Sequence, residues 1–264
     1  MVQFGDLLAA LTVLALGGAW LWRHWSRPVP VEPLREAERE RLARWLPIVA
    51  TLTPTQRERH AAQVAQFLAD KQFYGCNGLD VSPDMALAIA GTACLLTVRR
   101  QGPPYPALRS VLVYPDAFRV RDPEPDELGL VFDEGVELSG ESWDGQRIIV
   151  SWADVEAALD GDPVNVVAHE CAHQLDDEAP QAEGAPLLAD YDEWSRIMQA
   201  EYDRLCEHGS PVIDDYGCES PAEFFAVCVE SYLQRGAELA HHHPALYGLL
   251  CSHFQLNTAH LDEH

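Results

Sequence analysis

Residues 164–176 read Val164-Asn165-Val166-Val167-Ala168-His169-Glu170-Cys171-Ala172-His173-Gln174-Leu175-Asp176, and the reading of this run decides the fold. Two histidines four residues apart share one face of a helix, about one turn from each other. Both imidazoles can then reach one Zn²⁺, with Glu170 between them facing a water at the metal. Zinc pulls the pKa of such a water toward neutrality, so HExxH on a helix points to hydrolysis, above all of peptide bonds. A chance match in a chain of this His and Glu content is on the order of a few per cent, so the setting matters. Asp162 suits an N-cap and Pro163 a first helical position, while Val164, Val167, Ala168 and Cys171 supply small or apolar packing positions. The opposing reading is a buried helix with two hydrogen-bonded histidines and a surface glutamate.

A catalytic zinc usually has three protein ligands and one open position, so a third donor must come from elsewhere. Glu223, in Glu219-Ser220-Pro221-Ala222-Glu223-Phe224, is the candidate: Ser220 caps, Pro221 opens a helix, and Glu223 falls in its first turn. The same S-x-x-E spacing fits a capping box, so ligand and cap stay open. Glu230, seven residues on and on the same helical face, is held in reserve.

VNVVAHECAHQLD at 164–176 and IDDYGCESPAEFFAV at 213–227 resemble the Mlc titration factor A family of zinc metallopeptidases, itself related in its catalytic domain to the anthrax lethal factor protease. The likeness runs from about residue 45 onward and includes FYGCNGL at 73–79, SGESW at 139–143 and IIVSW at 148–152. It implies His169, His173 and Glu223 as zinc ligands, Glu170 as general base, and Tyr216 as a tyrosine near the metal. It also implies aminopeptidase-like action on peptides or proteins, or sequestration of a transcriptional repressor of the Mlc type. The N-terminal apolar segment departs from the soluble members of that family.

In such a site Glu170 takes the water proton and passes it to the leaving amine, and Tyr216, if inward, donates to the developing oxyanion. An ordinary loop tyrosine is the alternative for Tyr216. Asp176 lies on the face of His169 and His173 and is a candidate for orienting a ligand ring from behind; a solvated acid is its alternative. The strand RIIVSW at 147–152 is either an edge that pairs with an extended peptide or a plain structural strand.

The 264 residues carry a formal charge of −24, which argues against nucleic-acid binding through phosphates and is read as a solvated, aggregation-resistant surface. Seven cysteines with no CxxC pair read as reduced, mostly buried thiols of a cytoplasmic domain. Residues 4–22 are almost uninterruptedly apolar, and nineteen helical residues span roughly 28 Å, enough for a bilayer core. Trp20, Trp22 and Trp25 suit an interface belt, and Arg23 and Arg27 after the run place the following domain in the cytoplasm. The expectation is therefore a single-pass inner-membrane anchor over 1–27, a Pro-rich linker at 28–33 and a catalytic domain at 34–264. A soluble cytoplasmic protein, with 4–22 packed as one of its helices, is the alternative.

Helices are expected over 34–45, 54–69, 84–96, the motif run, 190–208, 221–234 and 244–255, with strands near 110–114 and 147–152. His241-His242-His243 reads as a solvated loop before Pro244. The fold class is α+β, helix-dominated and zincin-like, with a small sheet over the metal helix and an N-terminal apolar helix.

Overall fold

The computed structural model describes residues 31–116, 146–179 and 183–259. Helices α1 (Glu36–Trp45), α2 (Ile48–Thr51) and α3 (Pro54–Asp70) lead into strand β1 (Gln72–Gly75), and α4 (Pro83–Leu95) precedes β2 (Ser110–Tyr114). Strand β3 (Arg147–Ser151) runs directly into α5 (Trp152–Leu159), followed by the motif helix α6 (Val166–Asp177). Then come α7 (Asp192–His208), a 3₁₀ turn (Asp215–Cys218), α8 (Pro221–Gln234), α9 (Gly236–His242) and α10 (Pro244–Phe254). Among the described residues the protein is helix-dominated with one small sheet. The membrane-anchor reading of 1–27 lies outside the described residues; among those described, no helix is long and apolar enough to cross a membrane.

Local chemistry sets several helix starts. Thr53-Pro54, Ser82-Pro83 and Ser220-Pro221 each put a hydroxyl at the N-cap and a proline at the first position. The hydroxyls accept the amides of Gln56 (3.3 Å), Met85 (3.2 Å) and Glu223 (3.1 Å). Helix α4 is buried without a break from Leu87 to Leu95, as an all-round apolar helix must be.

Among the described residues the sheet has three parallel strands in the order β1-β2-β3. Phe73, Val111 and Ile148 are in register across it, as are Val113 and Val150 in the two later strands. Central β2 is buried from Ser110 to Val113, the run expected of a strand covered on both faces. Helix α6 packs chiefly on α8 and also touches β3, α4 and α5, so the HExxH face is held between the sheet side and the C-terminal helices.

The structure corrects four local expectations. Helix α6 starts at Val166 with Asn165 as N-cap, its Oδ1 accepting the Ala168 amide at 3.0 Å; Asp162 instead closes a turn onto Val164 N at 2.9 Å. The strand 147–152 ends at Ser151, which caps α5. Cys206 and Cys218 form a disulfide, leaving five free cysteines rather than seven reduced thiols. His241 and His242 close a helix, and His243 is buried at 1% exposure.

His253, on α10, is buried against Trp194 and Phe254. Burial, with Arg99 and Arg100 adding to it, lowers its pKa to about 3. A ring depressed below its unfolded value stabilises the fold fully above about pH 6.5. That contribution is lost as pH falls toward 3, at about 1.4 kcal/mol per unit. The His253→Phe variant should therefore lose less stability than the parent between pH 6 and 4 in urea titrations; parallel losses would refute the assignment.

Candidate metal centre

Helices α6 and α8 meet so that His169, His173 and Glu223 converge. The two Nε2 atoms are 3.2 Å apart, and Glu223 Oε2 lies 3.1 Å from that of His169 and 3.5 Å from that of His173. Among the described residues, this is the group of three donors close enough to share a metal ion. Spacing on α6 supplies two donors. The third comes from the first turn of α8, where Ser220 caps through Glu223 N and leaves the glutamate carboxylate to face the imidazoles. Only the serine half of a capping box forms.

Glu230, two turns further along the same face of α8, bonds the back of His169: its Oε1 is 2.7 Å from Nδ1. Its other oxygen accepts the Asn165 amide at 2.6 Å, at the start of α6. Gln234 accepts from Asn165 Nδ2 at 3.2 Å and donates to Ala158 O at 2.9 Å and Asp162 O at 2.6 Å. A carboxylate on Nδ1 fixes the neutral ring's tautomer with its proton there, so Nε2 then has its lone pair on the Glu223 side.

That geometry tests the donor set. Glu223 Oε2 is buried and accepts no hydrogen bond although two ring nitrogens stand over it. Lone pairs converging in a sheltered spot call for a cation, and two imidazoles with one carboxylate suit zinc. A proton and a metal ion compete for the same nitrogens, so metal binding here displaces a proton from His169 Nε2. Burial works against charge on His169, but the nearby Glu223 and Glu230 carboxylates outweigh it and raise the ring to about 10. Burial, joined by His169, lowers His173 toward the neutral form that ligates metals. The His169 ring holds Glu223 below the usual carboxylate range despite burial.

Glu170 faces a cleft of 680 Å³ whose walls also include His169, Tyr216 and Ser210. Burial raises its carboxyl to about 7, with His169 opposing and Glu223 and Glu230 adding to the rise. Tyr216 is half-exposed in the 3₁₀ turn, its ring centroid 6.2 Å from that of His169. Asp176, expected behind a ligand ring, instead accepts the Ala185 amide at 2.8 Å. It pins the turn at Gly184, whose φ of +74° and contact with the Pro221 carbonyl leave no room for a Cβ. Glu230, kept in reserve as a ligand, stands behind His169 instead. Replacing it by Gln should weaken uptake of a divalent metal such as Zn²⁺ about 10–100-fold without unfolding α6, as read by competition with a chromophoric chelator.

A helix pair presenting His, Glu, His and a remote carboxylate defines a metallopeptidase-type site. The chain belongs to the glucose-regulated metallo-peptidase M90 family, whose sequence model matches residues 20–255. It is 38% identical to an uncharacterized protein of Synechocystis sp., over 93% of this chain and 95% of the relative. It is 31% identical to Mlc titration factor A of Klebsiella pneumoniae, over 80% of this chain and 83% of that one. For Mlc titration factor A of Escherichia fergusonii the identity is 29%, over 90% and 91%.

Proposed function

We propose that this protein is a zinc-dependent peptidase with a zincin-like centre, in which His169, His173 and Glu223 hold one Zn²⁺ and Glu170 is the general base. The observation that carries the reading is the convergence of two imidazole nitrogens on the unbonded, buried Glu223 Oε2. When bound, zinc supplies Lewis acidity that polarises a carbonyl and makes water nucleophilic near neutral pH. Glu230 keeps the His169 proton on Nδ1 and its Nε2 lone pair on the donor side. Glu170, raised toward neutrality, takes a proton from water and returns it to the leaving amine. Tyr216, on the cleft wall, donates a hydrogen bond to the substrate oxygen as negative charge builds there.

Aminopeptidase-like preference follows from the family resemblance. The printed names of the relatives give a second reading: a regulator that binds a repressor of the Mlc type, with or without catalysis. The cytoplasm-facing anchor belongs to the proposal on the flanking charges of 4–22 alone, since the Cys206–Cys218 bond removes the thiol argument. The deciding experiment is hydrolysis of amino-acid and peptide anilides before chelation, after it, and after return of Zn²⁺. Activity lost and regained with zinc supports the peptidase. A fully zinc-loaded protein that cleaves none of them, yet binds a repressor of the Mlc type, favours the regulator.

A further inference from the structure

The cleft wall opposite Glu170 is a short segment after α7 that carries Ser210 and Tyr216. Behind it runs a buried polar chain the peptidase chemistry does not use. Glu201 Oε2 of α7 lies 2.6 Å from His243 Nδ1, and His243 Nε2 lies 2.8 Å from Ser210 Oγ. His243 is 1% exposed and Glu201 is buried beside it. The connectivity is that of an acyl-transfer triad, but the serine is not placed to attack. With the His243 proton on Nδ1 toward Glu201, the Ser210 hydroxyl donates to Nε2 and its oxygen accepts the amides of Val212 and Ile213, both at 3.1 Å. Both of its acceptor directions are therefore occupied.

The chain is thus a strut. It ties α7 and the residue opening α10 to the first turn of the cleft segment. Further bonds hold the same stretch in line: Ser231 Oγ donates to Val212 O at 2.9 Å, and Arg235 Nη1 donates to Pro211 O at 2.9 Å. Asp214 Oδ1 caps Tyr216 N at 2.8 Å, and Val212 and Ile213 are buried as apolar plugs. The disulfide between Cys206 and Cys218 closes the loop at its base. Fully satisfied buried polar chains select one arrangement of the backbone that bears them. Here that backbone carries the tyrosine of the cleft.

We propose that Glu201, His243 and Ser210 are positioning residues that hold the 209–218 segment so that Tyr216 stands over the metal centre. The proposal rests on the peptidase reading for its catalytic consequence and on the hydrogen-bond chain for its structural one, and the two are tested separately. In the full-length zinc-loaded protein, Ser210→Ala should speed amide exchange in 212–217 by about tenfold or more while leaving 166–177 unchanged. Zinc content should stay at the parental value. On a peptide anilide, kcat should fall about tenfold with KM within about twofold, and Ser210→Thr should restore it. Ser210→Ala combined with Tyr216→Phe should be no slower than Tyr216→Phe alone, because both losses pass through the same group.

Unchanged exchange in 212–217 would overturn the strut whatever the enzyme does. Losses of kcat that multiply in the double variant would overturn its action through Tyr216. Labelling of Ser210 by a fluorophosphonate would make it a nucleophile and overturn the assignment as well. A zinc-loaded parent with no hydrolysis would sink the peptidase reading and the catalytic half, and the exchange measurement would still judge the strut.

Discussion

Glu170→Gln should lower kcat for peptide hydrolysis about 10²–10⁴-fold while zinc content and KM stay near the parental values. The substitution keeps volume and a hydrogen-bonding oxygen but removes the ability to take a proton. Glu170 projects from the same helix as His169 and His173, yet it is outside the group of donors that share the metal position. Its loss should therefore leave zinc bound. Its carboxyl is prepared for proton traffic by its surroundings: burial raises it to about 7, His169 pulls down, and Glu223 and Glu230 push up. A group poised near neutrality takes and returns a proton at low cost, whereas an amide cannot do either. Equal residual activity in parent and variant, with zinc present in both, would remove the catalytic claim and leave a protein-binding reading.

Legibility from sequence tracked how local the determinant was. The helical HExxH run and the Thr53-Pro54, Ser82-Pro83 and Ser220-Pro221 starts are set by neighbours within one turn, and each helix is found there. Periodicity is silent on elements as short as β1, four residues long, or α9, seven. Strand β1 exists because β2 offers it a hydrogen-bonding edge, which no property of Gln72-Phe73-Tyr74-Gly75 announces. Local signals place the start of α6 too early because Asp162-Pro163 is a good helix opening in isolation. Asn165, tied to Glu230 and Gln234 of α8, takes the cap instead.

The same division runs through the site. Two donors were legible from a four-residue spacing, but whether Glu223 caps its helix or faces the histidines depends on how α8 crosses α6. Glu230 behind His169 was legible only as a position on the right face. His243 looks solvated in the sequence because its partners are remote: Glu201 is forty-two residues away and Ser210 thirty-three. Cys206 and Cys218, twelve residues apart, meet because the chain turns back between α7 and the 3₁₀ turn, and no spacing rule signals that bond.

Glu223→Gln separates the two roles that sequence left open for this residue. Zinc binding free energies of about 10–16 kcal/mol across four ligands imply about 2.5–4 kcal/mol for one, or roughly 10²–10³-fold in affinity. The variant keeps its backbone amide on Ser220 Oγ, so the start of α8 should hold and circular dichroism should stay parental. What changes is the oxygen now set 3.1 and 3.5 Å from the two imidazoles: a neutral amide replaces the charge that the donor set needs. The loss should exceed that of Glu230→Gln, since Glu230 acts on the metal position only through the far side of one ring. A side chain serving only as a cap gives the opposite pattern: zinc retained at parental affinity and stability nearly unchanged, since Gln closes a capping box as Glu does. That pattern would leave the two histidines without a third protein donor, and a hydrolytic zinc centre could not be built from what remains.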